Sequence, residues 1–356
     1  MCRSSFVSFP CIRGTQATMD YYVCMVPLNQ LSSLFVFSDA ELPTNMRSQR
    51  VINKGRIPEM KDYILQNRDS YVFSALTASV DGTVVFKPMN DDPAFRQMGT
   101  IQIPLNTKIL INDGQHRKAA IEAALKECPA LRYEEIAVVI YPDIGLKRSQ
   151  QMFSDLNRYA VRPTKSLNIL YDQRDAFSRM ICSMVDKLII FRDLVDRERA
   201  SLSPRSKALY TLSGLYSASE CLFRNVPDEK KNQSTLEEFW KSVYNYLPDW
   251  QLVAHGEMKA SFLRQEKLTG HVVLQKALGY VGNVLLLSGS SFQSFSILKE
   301  IDWDKDNPVW KGHAVVNGRI SGVDSSARYI AEYILQQIQG KEEYSHEPDQ
   351  SDKAGY

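Results

Sequence analysis

The hydrophobic pattern of this chain changes near residue 145, and that change constrains the fold more than any other feature. Before it, runs rich in β-branched and aromatic residues predict strands at 20–37, 71–80, 83–87, 99–104, 108–112 and 135–141. After it, apolar residues at helical spacing predict helices at 149–157, 167–191, 209–223, 235–246, 276–286 and 327–339. We therefore predict an α+β domain over 1–165, a mainly α-helical domain over 166–340 and a disordered tail over 341–356.

Two local signals refine the N-terminal domain. Asp81-Gly82, between the predicted strands at 71–80 and 83–87, is the commonest short signal for a β-hairpin. Residues 57–67 carry an apolar stripe at helical spacing, which predicts a helix preceded by a basic segment.

A polar turn, Asp113-Gly-Gln-His-Arg117, connects the predicted strand at 108–112 with a helix-like run over 118–126. The first turn of a helix leaves backbone N–H groups unpaired, and the helix dipole makes that end positive. A polar, glycine-containing turn at such a place is suited to holding an anion.

Each residue of this turn can serve phosphate binding. Gly114 lets the backbone approach a ligand, and Arg117 offers a planar fork of donors. Asp113 can cap the helix, while Gln115 and His116 add a neutral amide and a group that titrates near neutrality. We predict a phosphate or nucleotide site at Gly114, Gln115, His116 and Arg117, although an ordinary capped turn would use the same residue types.

The 43 basic and 41 acidic residues nearly balance and leave a net charge of only +2. Any attraction to nucleic acid must therefore come from local patches of cations. One basic segment contains Arg47, Arg50, Lys54 and Arg56. A second, residues 147–179, has seven cations against three acids, including Lys147, Arg148, Arg158, Arg162 and Lys165. These nine cations predict a DNA-binding surface, whereas a solvated helix face with internal ion pairs is the alternative.

Other function classes are disfavoured. Six cysteines are scattered without a C-x-x-C pair, and the five histidines do not stand at metal-ligand spacing beside them, so we predict no bound metal. No apolar run approaches the roughly 18 residues that would span a membrane. We expect a soluble, cytoplasmic protein.

A compact constellation follows the turn in the sequence. Phe153, Asp155 and Asn157 place an aromatic ring, a carboxylate and an amide close together, and the two polar groups can orient a loop or a ligand. We treat these three as supporting residues.

Several of these segments together carry a family resemblance. The turn spells DGQHR and precedes an alanine-rich helix, and the chain also contains Arg47-Ser-Gln-Arg50 and Gln151-Met-Phe-Ser-Asp-Leu-Asn157. In these segments the chain is similar to DGQHR-domain proteins and resembles the DndB family of DNA phosphorothioate (sulfur) modification. The likeness is strongest between Tyr21 and Arg179.

The resemblance implies both a fold and a role. It implies a ParB/sulfiredoxin-like N-terminal domain whose strand-turn-helix binds nucleotide phosphates at the four residues from Gly114 to Arg117. It also implies a nucleoid-associated negative transcriptional regulator that binds double-stranded promoter DNA of its own gene cluster. Other DNA sulfur modification proteins and further copies of the chain are additional candidate partners. No helix-turn-helix pattern is recognisable, so the element that enters a DNA groove is unassigned.

Two alternatives stay open. Asp113 and His116 could be catalytic residues of an enzyme that hydrolyses a nucleoside triphosphate with Mg²⁺, as relatives in phosphorothioate-dependent defence do with a similar motif. The chain lacks a phosphate-binding glycine loop ending in Lys-Ser or Lys-Thr, so such chemistry would be slow and unorthodox. Alternatively, the protein is a scaffold that contacts modification enzymes without touching phosphate.

Overall fold

A computed structural model of the protein describes residues 5–35, 53–143, 151–152, 154–156 and 163–345. The chain divides into two units, Met1–Val161 and Arg162–Tyr356. About half of the described residues are helical, and seven described strands form one mixed sheet, so the fold is mixed α/β as the sequence predicts in coarse terms. The finer prediction of a ParB/sulfiredoxin-like arrangement stays a prediction.

The first unit is built on this seven-stranded sheet. Its strands are β1 (Phe6–Gln16), β2 (Met19–Pro27), β3 (Leu76–Asp81), β4 (Val85–Pro88), β5 (Met98–Pro104), β6 (Lys108–Asp113) and β7 (Glu135–Asp143). They lie side by side in the order β4-β5-β1-β2-β7-β3-β6. Neighbours are antiparallel except β3 and β7, which are parallel. Strand β6 therefore forms an edge, with β3 as its neighbour.

One face of the sheet packs against three helices, α1 (Leu31–Leu34), α2 (Ile57–Gln66) and α3 (Gln115–Glu127). Alternate strand residues point into this core, including Leu76, Ala78 and Val80 of β3. From the helices, Ile64 and Ile121 reach the same cluster. Helix α2 confirms the helix predicted at 57–67.

The predicted hairpin at Asp81-Gly82 is wrong. Both strands exist, but β3 pairs with β6 and β7, whereas β4 pairs with β5 at the opposite side of the sheet. Four of the six β3 residues are buried, as expected of a strand with neighbours on both sides. Burial of this apolar strand outweighs the local turn signal.

The strand prediction over 20–37 is also wrong from Leu31 onward. The chain leaves β2 at Pro27, makes a 3-10 turn over Leu28–Gln30, and continues as helix α1. Leu28, Leu31 and Leu34 are all buried, so their three-residue spacing sets a helical face. Residues 36 and 37 lie outside the described residues.

The second unit is mainly helical. Its helices are α4 (Lys165–Tyr171), α5 (Ala176–Lys187), α6 (Leu212–Leu222), α7 (Gln233–Tyr246), α8 (Pro248–Ala254), α9 (Ala260–Glu266), α10 (Val272–Ser288) and α11 (Asp324–Ser345). Two short strand pairs join Val195–Asp196 with Tyr210–Thr211, and Val315–Val316 with Arg319–Ile320. Helices α6, α7, α10 and α11 confirm four of the sequence predictions. Helix α11 extends to Ser345, past the predicted start of the tail at 341.

Helix α10 is the centre of this unit and packs on α6 and α11. The contact with α6 is so close that a Cβ atom on Gly279 would lie 2.1 Å from the carbonyl oxygen of Ala218. Around this pair, Trp240, Trp250 and Trp310 are fully buried. The large aromatic side chains supply much of the apolar area that holds the helices together.

The helix predicted over 167–191 is interrupted, which corrects that prediction. The Asp172 carboxylate accepts the backbone N–H groups of Arg174 and Asp175, each at 3.0 Å, and so closes a turn. The Asp175 carboxylate then caps α5 by accepting the N–H groups of Phe177 and Ser178. Asp172 thus closes the turn after α4, and Asp175, three residues later, starts the new helix α5.

Candidate phosphate-binding site at the DGQHR turn

The DGQHR turn lies where the edge strand β6 passes into helix α3. Between Asp113, the last residue of β6, and Gln115, the first of α3, Gly114 adopts a φ of +102°. Side chains are strained at this φ. A Cβ atom on Gly114 would also lie 2.4 Å from Cδ2 of Leu76, a fully buried residue of β3. The glycine is therefore required to pack the turn on the sheet, independently of any ligand.

Asp113 and Arg117 bind each other. Nη2 of Arg117 donates to Oδ2 of Asp113 at 2.6 Å, while Nη1 donates to the Ser74 carbonyl at 3.2 Å and to the Ser74 hydroxyl. The expectation that Asp113 caps α3 is wrong, because Gly114 occupies the cap position and no side chain accepts the first amides. With its side chain 13% exposed, Arg117 directs its fork at the protein.

The His116 ring acts as a hydrogen-bond acceptor. Its Nε2 accepts the backbone N–H of Asn53 at 3.0 Å, which requires an unprotonated Nε2 and places the ring proton on Nδ1. Partial burial lowers the pKa of His116, and the positive charge of Arg56 lowers it further. His116 is therefore neutral near pH 7. The neighbouring Gln115 amide donates to the Ile111 carbonyl at 3.2 Å.

Two of the predicted DNA-binding cations lie on the segment that His116 contacts. Residues Lys54–Arg56 form a 3-10 turn, and the Asn53 side chain caps it by accepting the N–H of Gly55 at 3.0 Å. We call Asn53–Arg56 the cationic turn. Lys54 and Arg56 are exposed, and neither forms an ion pair within the part of the chain that the structure describes.

The cationic turn and the start of α3 combine their positive potential. Helix α3 has 13 residues, long enough for a dipole whose positive end lies at Gln115. The hydrogen bond between Asn53 and His116 holds the turn beside that end. Backbone amides at a helix start with adjacent lysine and arginine side chains can bind a phosphate group.

Most of the other predicted site residues lie outside the described residues, namely Arg47, Arg50, Lys147, Arg148, Phe153, Asn157, Arg158 and Arg162. Two are described. Asp155 accepts a hydrogen bond from Gln151 at 2.8 Å, within a stretch whose described residues are helical. Lys165 donates to the Ser217 hydroxyl at 2.9 Å and lies 3.5 Å from the Glu220 carboxylate. The charge of Lys165 is thus partly compensated by its own unit.

Sequence reasoning missed three residues that shape the site. Ser74 and Leu76 determine where the turn sits, and Asn53 connects it to the cationic turn. Asn53 could have been found, because asparagine two residues before a glycine is a common way to cap a turn. Ser74 and Leu76 carry no comparable signal, since their contacts cross long stretches of sequence.

The predicted Mg²⁺-bound nucleotide fits this site only in part. The amides at the start of α3 suit a phosphate group. The Asp113 carboxylate, however, is paired with Arg117, and no group of three histidine, cysteine, aspartate or glutamate side chains among the described residues is arranged to hold a metal ion. The described residues therefore offer groups for the phosphate part of the prediction, and a bound Mg²⁺-nucleotide stays a prediction.

No helix in the described residues has the length and apolar character that crossing a membrane requires. Fold and site together define a mixed α/β protein with a helix start and a cationic turn at one edge of its sheet. Compared with models of known families, residues 9–341 match DndB, described as DNA-sulfur modification-associated. Because the match covers nearly the whole chain, the protein belongs to the DndB family, which confirms the resemblance and implies involvement in DNA sulfur modification. No curated protein and no solved structure matches the chain.

Proposed function

We propose that this protein is a negative transcriptional regulator that binds double-stranded DNA at the promoter of its own DNA sulfur modification cluster. Membership of the DndB family supports the link to that system. The observation that carries DNA binding is the position of Lys54 and Arg56, exposed and without ion-pair partners among the described residues, beside the start of α3. A protein bound to promoter DNA would be associated with the nucleoid.

The electrostatics favour contact with the DNA backbone. Because the net charge is only +2, long-range attraction must come from local groups, and the cationic turn is such a group. Lysine, arginine and helix-start amides are the groups that most often hold DNA phosphates. We assign the cationic turn and the amides from Gln115 to Arg117 to one phosphate contact. Arg47 and Arg50, which precede the turn in the chain, would extend it.

The ParB/sulfiredoxin-like resemblance implies that the motif binds nucleotide phosphates. That role belongs to the same proposal, because it too places a phosphate group at the start of α3. Nucleoside-triphosphate hydrolysis with Mg²⁺ receives less support. A general base must be free to take a proton, but Asp113 is paired with Arg117, and Nε2 of His116 already accepts the Asn53 amide.

The experiment that tests the proposal is a salt titration of DNA affinity. Fluorescence anisotropy with a labelled promoter duplex should show binding that weakens steeply with salt and is tighter than to a scrambled duplex. Lys54→Ala combined with Arg56→Ala should weaken binding to both duplexes and reduce the salt slope by about two.

A matched control removes two other cations of the same unit. Lys87 lies on β4, six strand spacings or roughly 29 Å from β6, and Lys126 lies in the last turn of α3. Lys87→Ala with Lys126→Ala changes the net charge equally and should keep the slope. A flat salt dependence of the wild-type protein would overturn the proposal, and equal losses in the two double variants would remove the cationic turn as the contact.

A further inference from the structure

The bond between Asn53 and His116 joins two segments 63 residues apart in the chain. The backbone N–H of Asn53 is the donor, so Nε2 of His116 must offer its lone pair. The same Asn53 caps Gly55 with its side chain at 3.0 Å. Asn53 is thus fixed through both its backbone and its side chain, and the position of Lys54 relative to α3 depends on the histidine ring.

Protonation would abolish this acceptor. An imidazolium carries N–H on both nitrogens, so Nε2 would face the Asn53 N–H with a second donor. Among the charged groups on the elements around the ring, Arg56 of the cationic turn opposes protonation. On α3 itself, Arg117 is paired with Asp113 at 2.6 Å and Lys118 with Glu122 at 3.0 Å, so these cations are compensated.

We propose that His116 is a positioning residue whose neutral ring holds the cationic turn against the start of α3, and that acidification releases the turn and lowers the affinity for duplex DNA. The proposal rests on the proposed DNA contact of Lys54 and Arg56. It gives the side chain of His116 a role that needs no contact between the imidazole ring and phosphate.

The sign of the pH dependence separates this role from the obvious alternative. A histidine that contacted phosphate directly would bind DNA more tightly when protonated, because an imidazolium adds a positive charge. A histidine that must stay neutral to accept the Asn53 N–H would instead weaken DNA binding when it is protonated. Affinity should therefore fall, not rise, as the pH drops below 6.5 toward the lowered pKa of His116.

The test measures promoter affinity between pH 5.5 and pH 8 at constant salt for the wild type, His116→Ala and His116→Gln. The alanine variant should bind as weakly as the Lys54→Ala/Arg56→Ala variant, a loss of about tenfold or more, at every pH. The glutamine variant, whose side-chain oxygen can accept the Asn53 N–H, should recover much of that loss without pH dependence. Adding His116→Ala to the double variant should change little, because both changes remove one contact.

Circular dichroism at the assay temperature shows that each variant is folded. Tighter wild-type binding at low pH, or an alanine variant with wild-type affinity, overturns the proposal. A readout without DNA keeps it separate from the proposed function: ¹⁵N NMR of the ring should show the Nδ1–H form at pH 7.5. If the ring is in the Nε2–H form, the positioning role of His116 is overturned even if the protein binds its promoter. If the ring is in the Nδ1–H form but the protein does not bind DNA, the DNA-binding proposal is overturned, and with it the role of His116 in DNA affinity.

Discussion

The guanidinium of Arg117 lies 2.6 Å from the carboxylate of Asp113, so the first and last residues of the DGQHR motif neutralise each other. The same guanidinium donates to Ser74, just before β3. The arginine therefore ties the turn between β6 and α3 to the neighbouring strand segment. We therefore expect Arg117 to contribute mainly to the stability of the fold.

Arg117→Ala should lower the free energy of unfolding by about 1–2 kcal/mol, because it removes a largely buried side chain with two partners. Urea denaturation measures this. Arg96→Ala, at an exposed arginine without an ion-pair partner in the described residues, is the control and should change stability by less than about 0.5 kcal/mol. The salt slope of DNA binding should not change in Arg117→Ala, and a reduced slope would show that the guanidinium contacts phosphate.

Gly114→Ala should be more damaging. The new Cβ meets Leu76 at 2.4 Å in a backbone conformation with φ of +102°, so strain and overpacking combine to about 2–4 kcal/mol. Gly256→Ala is the matched control, since its φ is +77° but nothing lies within 4 Å. It should cost only about 1 kcal/mol. Similar thermal shifts for the two variants would contradict the packing explanation.

Lys165→Ala should affect DNA binding less than Lys54→Ala. The Lys165 ammonium is 2.9 Å from the Ser217 hydroxyl, 3.5 Å from Glu220 and 5.0 Å from the centre of the Tyr216 ring. Lys54 has no ion-pair partner among the described residues. We expect a salt slope reduced by about one for Lys54→Ala and nearly unchanged for Lys165→Ala. The opposite order would move the DNA contact to the second unit.

Acid sensitivity of the second unit should depend on Asp324. Its carboxylate accepts hydrogen bonds from Lys276 at 2.8 Å, Tyr280 at 2.7 Å and Arg328 at 2.9 Å, and these donors, Lys276 first, hold its pKa well below the usual range. A depressed carboxyl pKa contributes stability above the unfolded value of about 4, and that contribution is lost as the pH falls toward the folded value.

Asp324→Asn should therefore cost about 1 kcal/mol at pH 7, a modest value because the carboxylate is 46% exposed and screened by solvent. The difference from wild type should shrink below pH 4. Glu332→Gln, at an exposed position of the same helix α11, is the control and should show no such trend. Urea midpoints at pH 7, 5 and 3 measure both, and a constant difference across this range would contradict the assignment.

Local patterns predicted the elements whose own residues carry the signal. The apolar stripe of α2 and the strand-turn-helix from Lys108 to Glu127 form where their periodicity predicts them. Pairing could not be read in this way. Asp81-Gly82 looks like a hairpin turn, yet β3 takes its neighbours from residues far along the chain because its side chains are apolar and buried.

The site shows the same division between local and distant contacts. The glycine and the polar residues of the turn are visible in the sequence, but their partners are not. In the sequence, Arg117 looks like a phosphate ligand. Only the structure shows that its guanidinium already donates to the Ser74 carbonyl. Likewise, the contact between His116 and Asn53 depends on how α2 packs on α3.

The close fit between Gly114 and Leu76 bears on how the motif diverges among relatives. Because packing on the buried residue Leu76 already requires glycine at position 114, we expect this glycine to be kept even where the ligand of the turn differs. We expect relatives to vary in the cationic turn when their binding partners differ. Positions 114 and 76 should change together or not at all.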